Sequence, residues 1–551
     1  MRRCSNDRGP LRVCIVGGGS SGILAARQML DEGFQPVIYE LSSSLGGLWA
    51  YRGDSKEGLP SIMRSTIINS SKEMSAFSDF PPPKETPNFM HHTKMLAYIR
   101  SYADHFGITG KVLLRHVVLR VTKAEDYDST GRWDVVVKDL NGDVERRETF
   151  NAVLVASGHY GFPNAPKFKG QEKFKGRIVH THNLKVPDQF KDRRVAVVGI
   201  GNSGVDAAVD ACHVAAESKK YLNDRKGIWC VSVILNLNYR SRCVPSNQMI
   251  SSTRAPSHSV PMNLYSAAVE TASQASFFQG GEEQPKHNLR RARTQGEMVN
   301  NPWSGTITLR NPRLDFMKAG VFHPAPAQVT KLDDVVLATG YRFKFPMLSE
   351  DVMPPVVDNE VQLYKYVFPP GLKHPTLAVI ALVQPLGAIF PIAEMQARWM
   401  AQLLAGKRKL PPQPEMYQDI VRTRAALRRR FVDSPRHTIQ VDWTNYMDEL
   451  ADKIGARPKL LKYFFTDNEL FRALLGPTVP YQYRLEGPHP WSGARDAVLG
   501  TQGRVLYPLN SSCISFESKN RSFPAWFAII SSIVIFIVYL AYRSSVVSQI
   551  C

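Results

Sequence analysis

The sequence predicts an α/β protein whose body is organised around two strand–glycine turn–helix units and whose C-terminal end is an apolar helix. Two observations carry the prediction of the body. The pattern Gly-x-Gly-x-x-Gly occurs at residues 17–22 and again at 199–204, each time behind a short apolar strand and ahead of a helical pattern. A third observation predicts the end of the chain: residues 523–542 read FPAWFAIISSIVIFIVYLAY, without a charge.

Length and composition narrow the classes first. A chain of 551 residues is too long for one ordinary core, so two or more domains are expected. Hydrophobic residues make up 43% and charged residues 21%, which argues against a mostly disordered chain. The net charge of +20 fits a basic soluble surface or attraction to anions, either phosphorylated cofactors or an anionic membrane face. Nucleic acid is not expected as a partner. Lys and Arg are spread along the chain, and no finger, helix-turn-helix or RNA-reading aromatic signature accompanies them. The seven cysteines (Cys4, Cys14, Cys212, Cys230, Cys243, Cys513 and Cys551) contain no Cys-x-x-Cys pair. An odd, scattered set fits a reducing compartment and removes the dithiol of the disulfide reductases. No metal-ligating cluster and no Ser-His-Asp arrangement stands out.

Taken in order, residues 13–16 form an apolar strand, a glycine turn follows, a helix runs from 21 to about 31, and residues 36–40 make a second strand. Gly17 lets the chain turn, Gly19 lets backbone amides approach a pyrophosphate, and Gly22 lets helix and strand pack closely, with Gly18, Ser20 and Ser21 completing the turn. The helix N-terminus then faces the phosphates. Glu40 ends the second strand, 21 positions beyond Gly19, where a carboxylate can accept from both ribose hydroxyls. A tight structural turn is the plainer alternative, and the βαβ context weighs against it. The run from Val13 is not a signal peptide, because three glycines interrupt it at once.

Residues 80–92 are proline-rich and read as a loop, and 93–105 as a helix. Segments 117–121 and 133–137 alternate like antiparallel strands, with a hairpin turn expected at Asn141-Gly142. Residues 150–157 form a buried strand. The second unit starts at Arg194 and turns at Gly199, Gly201 and Gly204. Two such fingerprints imply two dinucleotides, and the economical pair is a flavin and a nicotinamide. No acidic residue ends the following strand. Tyr239-Arg240-Ser241-Arg242 stands there instead, and the guanidinium groups of Arg240 and Arg242 suit the 2′-phosphate of NADPH. A solvated basic loop is the alternative, since 219–227 looks like a polar insertion. Residues 244–304 are rich in polar residues and lose apolar periodicity. Strands return at 305–309 and 332–338, and helices at 391–404 and 416–430.

At 1.5 Å per residue, the apolar stretch 523–542 would be roughly 30 Å long, the thickness of a bilayer core. Lys519, Arg521 and Arg543 flank it. A buried or interfacial helix is the alternative. An anchor so near the C-terminus would leave the body in the cytosol, where NADPH is available.

Between the two units, Phe174-Lys175-Gly176-Arg177-Ile178-Val179-His180 resembles the Phe-x-Gly-x-x-x-His motif of the flavin-containing monooxygenases. Gly46-Gly47-Leu48-Trp49, the run from Asn69 to Met74, Leu337-Ala338-Thr339-Gly340-Tyr341 and the run from Gln384 to Ile389 resemble the same family. Residues 436–440 and the terminal apolar stretch look like its animal microsomal branch.

The resemblance implies two Rossmann-like dinucleotide-binding domains, one for FAD and one for NADPH, plus a C-terminal transmembrane helix in the endoplasmic reticulum membrane. It implies residues 10–190 as the first part of the FAD domain, 191–331 as the NADPH domain with an atypical 244–304 stretch, and 332–445 as the return of the FAD domain. Residues 446–515 would be a helical region before the anchor.

The implied activity is oxygenation of a soft nitrogen or sulfur atom, in a small amine or thioether, with NADPH and O2 through a C4a-hydroperoxyflavin. The protein would supply position and a dry pocket. Gly17 to Ser21, Glu40, Leu48 and Trp49 match the family's FAD contacts. Asn69 matches its asparagine beside flavin and nicotinamide, with Ile68 and Ser70 flanking. Ser203, Gly204, Val205 and Asp206 match its NADP contacts. His180 is expected to order structure between domains rather than to move protons.

Two departures are visible. Leu184 stands where the motif usually ends on an aromatic residue and where the Baeyer–Villiger enzymes carry tryptophan, and 244–304 matches poorly. They leave open an NADPH oxidase that releases hydrogen peroxide, or an impaired membrane-anchored flavoprotein.

Overall fold

The computed structural model describes residues 9–510 apart from 169, 200, 213, 216, 219–224, 227, 232–297, 302–305, 310–328 and 432–433. Val13, Cys14 and Ile15 are fully buried, as a strand covered on both faces requires. They lie in β1 (Arg12–Val16), which leads through the first glycine turn to α1 (Ser20–Asp31) and β2 (Gln35–Glu40). After α2 (His92–His105) come β3 (Val112–Leu114), β4 (His116–Lys123), β5 (Trp133–Asp139), β6 (Val144–Phe150) and β7 (Ala152–Val155). The second unit uses β8 (Arg177–His180), β9 (Val195–Val198), α3 (Asn202–Cys212), β10 (Ile228–Val231) and β11 (Asp334–Leu337). The chain then supplies β12 (Leu377–Val379), α4 (Phe390–Leu404), α5 (Gln413–Arg430) and α6 (Trp443–Ile454).

The first sheet is parallel, in the order β12-β7-β1-β2-β3. The second is also parallel, in the order β10-β9-β11-β8. Both glycine turns therefore leave the carboxyl end of an inner strand with neighbours on both sides, the position where open α/β sheets bind ligands. The β4–β5–β6 ribbon is antiparallel, as its alternation predicts. Its hairpin turns at Asn141-Gly142 as expected, with a longer loop than a two-residue turn. Asp139 pairs with Val144, so the loop is residues 140–143, and the left-handed residue is Asp143 (φ 55°) rather than Gly142. The longer loop moves the positive-φ position by one residue.

Two domain limits also shift. β8 falls inside the stretch assigned to the first domain, and β11 inside the stretch assigned to its return, yet both pair in the second sheet. Asp334 in β11 is fully buried and holds Arg177 of β8 at 2.7 Å, with Arg193 beside it. Glu217–Ser218, just before the expected polar insertion, pairs antiparallel with Arg225–Lys226 inside it. Cys212, expected as a reduced thiol, is disulfide-bonded, and Cys14 is a buried free thiol.

One core runs through α1, α2, the first sheet, α4 and α6, and a smaller one lies beneath α3. α4 is buried from Phe390 to Leu403 although it carries Glu394, Gln396 and Arg398. Each of these finds partners, as burial demands. Ser78 N–H donates to Glu394 at 2.9 Å, and Arg484 Nη2 donates at 2.7 Å. Gln396 accepts from Ala381 N–H, and Arg398 donates to the carbonyls of Tyr483 and Pro488. Arg240, Arg242, nearly all of 244–304 and the apolar stretch 523–542 lie outside the described residues. Among the described residues no helix is long and apolar enough to cross a membrane.

Candidate active site

The first glycine turn is closed by contacts that only glycine allows. Gly17 has φ +109°, and a Cβ there would come within 2.6 Å of the Ala156 carbonyl oxygen. A Cβ on Gly22 would lie 1.9 Å from Gly17 O, so α1 and the turn are packed backbone to backbone. Gly19 differs: its Cβ would meet only Gly47, the nearest atom being its Cα at an ordinary 3.5 Å. The first and third fingerprint glycines therefore answer to the fold, while a side chain at the second would meet no backbone closer than ordinary contact. Gly46 N–H donates to Gly18 O at 3.0 Å, which sets the short 3-10 turn Gly47–Trp49 over the glycine turn and brings Leu48 and Trp49 to it. Ser20 and Ser21 open α1.

Glu40 is buried at the end of β2. Its Oε2 accepts from Gly18 N–H at 2.6 Å and its Oε1 from Ser42 N–H at 2.7 Å. Both oxygens are oriented by backbone donors and keep lone pairs for hydroxyl donors.

The second turn repeats this construction. Gly199 has φ +116°, with the Ala338 carbonyl oxygen 2.3 Å from where a Cβ would stand, and a Cβ on Gly204 would lie 2.2 Å from Gly199 O. Gly204 and Val205 N–H groups donate to Gly201 O at 2.9 and 3.1 Å, starting α3. Ser203 and Val205 are exposed along its first turn. The Asp206 carboxyl is pushed up to about 6 by burial, with the Asp210 charge adding to the shift.

The segment that joins the two units was the least legible part of the sequence. Met63 is buried in the small core with Leu184, Phe190, Val195 and Val197. Five residues on, Ile68 is buried in the large core, and its N–H donates to Met90 O at 2.9 Å. Arg64 N–H donates to Lys185 O at 2.9 Å, and Ser61 Oγ to His182 O at 2.7 Å. One short stretch is thus pinned to both domains, and Asn69 is the exposed residue at its end. Ser70, next to it, is buried and shares a 2.7 Å hydrogen bond with Ser75. Behind the run, fully buried Glu73 accepts from Tyr481 OH at 2.8 Å and from Arg504. Tyr481 and Arg504 lie more than 400 positions away, which is why no local pattern revealed them.

His180 has both ring nitrogens committed. Nδ1 accepts from His182 N–H at 3.0 Å, so the proton belongs on Nε2, which faces Gly340 O at 3.1 Å. Burial pushes its pKa down to about 4, keeping it neutral. It ties β8 to the residues after β11, an ordering role. Leu184 is almost fully buried in the small core, so its departure from an aromatic is a packing choice. Among the described residues no group of His, Cys, Asp and Glu could hold a metal.

These features agree with comparison to known proteins. A family model described as flavin-binding monooxygenase-like matches residues 10–543. The chain is similar to "Flavin-containing monooxygenase 5" of Rattus norvegicus, 38% identical over 536 residues, covering 96% of this chain and 99% of that protein. It is 36% identical over 517 residues to "Flavin-containing monooxygenase 2" of Homo sapiens, covering 93% and 95%. Its fold is similar to that of an S-allyl-L-cysteine S-oxygenase from Allium sativum, with TM-score 0.61, 23% identity, and coverage of 90% and 98%. Two glycine turns on two parallel sheets, matched end to end at this level of identity, place the chain in the flavin-binding monooxygenase-like family.

Proposed function

We propose that the chain is an NADPH-dependent flavin monooxygenase that oxygenates a soft nitrogen or sulfur atom of a small molecule, with FAD at the first glycine turn and NADPH at the second. The observation that carries this reading is the stretch from Ser61 to Ser70, pinned to both domains and ending at exposed Asn69. The residues fit both nucleotides. At Gly19 no backbone comes closer than ordinary contact, Glu40 is oriented by two N–H groups, and α1 and α3 each begin at a glycine turn.

In this reading Gly17 to Gly22, Glu40, Leu48 and Trp49 hold FAD. Gly199, Gly201, Ser203, Gly204, Val205 and Asp206 hold the nicotinamide dinucleotide, and Arg240 and Arg242 select its 2′-phosphate. When bound, the flavin supplies the activation of oxygen. The chain supplies geometry. The Asn69 amide both donates and accepts, so it can hold polar atoms of both cofactors in register. Ile68 and Ser70 fix its backbone. His180 moves no proton at neutral pH.

The anchor belongs to the same proposal. Residues 523–542 would hold the protein on the endoplasmic reticulum membrane with its body in the cytosol. Carbonate washing should leave the full chain in the pellet and release a chain ending at 522. Release of both would remove the anchor.

Anaerobic mixing tests the cofactor reading. NADPH should bleach the flavin absorbance, and NADH should do so far more slowly. A flavin that NADPH leaves oxidised would instead support the impaired flavoprotein. Equal rates with both nucleotides would remove Arg240 and Arg242 from selectivity.

A further inference from the structure

The second glycine turn has a cation over it that comes from a distant part of the chain. Arg436 lies between α5 and α6, on the first domain's side of the molecule. A Cβ on Gly201 would stand 3.2 Å from Arg436 Nη2 and 3.5 Å from its Cζ, so the guanidinium lies directly against the turn. Other arginines around the second sheet are spoken for. Arg177 and Arg193 hold Asp334, and Arg194 holds Asp333. Among the described residues no carboxylate pairs with Arg436, and its one hydrogen bond is from its backbone N–H to Ser434 Oγ.

A solvated arginine without a partner is ordinary on a surface. This one is distinguished by where its head group rests. The second glycine of the fingerprint is where backbone amides approach a pyrophosphate, and the first N–H groups of α3 lack intrahelical acceptors. A planar guanidinium beside those donors completes a cradle for two phosphate groups. The 2′-phosphate, by contrast, belongs beyond the end of the strand that follows α3, here β10.

We propose that Arg436 binds the pyrophosphate of the nicotinamide dinucleotide, so that the bound nucleotide joins the second domain to the α5–α6 segment of the first. The proposal rests on the reading of the second turn as a dinucleotide site. Its consequence is that nucleotide binding fixes the relation of two elements that meet at no sheet.

The test uses the full-length, flavin-loaded protein and equilibrium titration with two probes, NADP+ and adenosine 2′-monophosphate, which lacks the pyrophosphate. Arg436→Gln should weaken NADP+ binding about tenfold or more, the loss expected for a charge-assisted hydrogen-bonded pair. It should leave adenosine 2′-monophosphate, flavin content and melting temperature unchanged. Arg436→Lys, which keeps the charge and loses the fork, should fall between. NADP+ affinity within twofold of the parent would overturn the proposal. Equal loss for both probes would overturn it by moving the contact to the 2′-phosphate or adenosine. Loss of flavin or stability in both variants would overturn it in favour of a structural role. A parent chain that binds neither probe would overturn the underlying reading, a result distinct from all three.

Discussion

At the scale of single residues, the two fingerprints separate into positions that the fold demands and positions that it leaves unconstrained. A side chain at Gly17, Gly22, Gly199 or Gly204 collides with backbone at 1.9–2.6 Å, so those glycines would be needed even if nothing bound. Gly19 carries no such demand. Its backbone angles (φ −76°, ψ −178°) are open to any residue, and its nearest neighbour would be 3.5 Å away. Gly19→Ala should therefore fold, with an unchanged far-ultraviolet circular dichroism spectrum, and should lose most of its flavin, read as the ratio of visible to protein absorbance. Full flavin content in that variant would move FAD away from the turn. The spacing of the glycines was legible from the sequence alone, because a tight turn repeats in its residue types. Which glycine is pressed against backbone and which is not was hidden, since that depends on Ala156, Gly47 and Ala338 arriving from other strands and loops.

At the scale of elements, α4 decides how the C-terminal helical region attaches to the nucleotide-binding body. Its apolar residues fill the large core, and its charged residues are matched by groups from far along the chain. Arg484, only 2% exposed, is the hinge of this arrangement: it donates to Glu394 at 2.7 Å, to Ser78 Oγ at 2.7 Å and to Gln28 at 3.2 Å. Removing one partner of a buried ion pair costs about 3–5 kcal/mol, because the other charge is left without compensation. Arg484→Met should thus lower the thermal midpoint markedly, while Arg484→Met with Glu394→Leu should recover part of the loss, Asp79 at 3.5 Å from Arg484 remaining buried without it. A single variant that melts with the parent would show the pair to be dispensable. Helices and strands were readable here from periodicity to within a few residues. The attachments were not, since Glu394 in an apolar helix gives no sign of which distant arginine will meet it. The domain limits shifted for the same reason: β8 and β11 are short strands that fit either sheet, and only the pairing of β11 with β9 and of β8 with β11 assigns them.

At the scale of the whole molecule, two parallel sheets each present a glycine turn, and the stretch from Ser61 to Ser70 is held by both domains at once. A chain built to bind two dinucleotides without chemistry between them would have no need for such a bridge. Burial of Met63 in one core and Ile68 in the other sets Asn69 by packing, and on the proposed reading that would hold its amide in place for both cofactors. The central claim is that oxygen reaches the substrate rather than leaving as peroxide. The most direct measurement supplies 18O2 and NADPH to the flavin-loaded protein with a small thioether, and follows sulfoxide mass, NADPH consumption and hydrogen peroxide together. The account predicts a sulfoxide carrying one 18O atom, formed in near-equal amount to the NADPH consumed. NADPH consumption matched by hydrogen peroxide, with no label in the thioether or in an amine tested alongside, would contradict it and make the protein an oxidase.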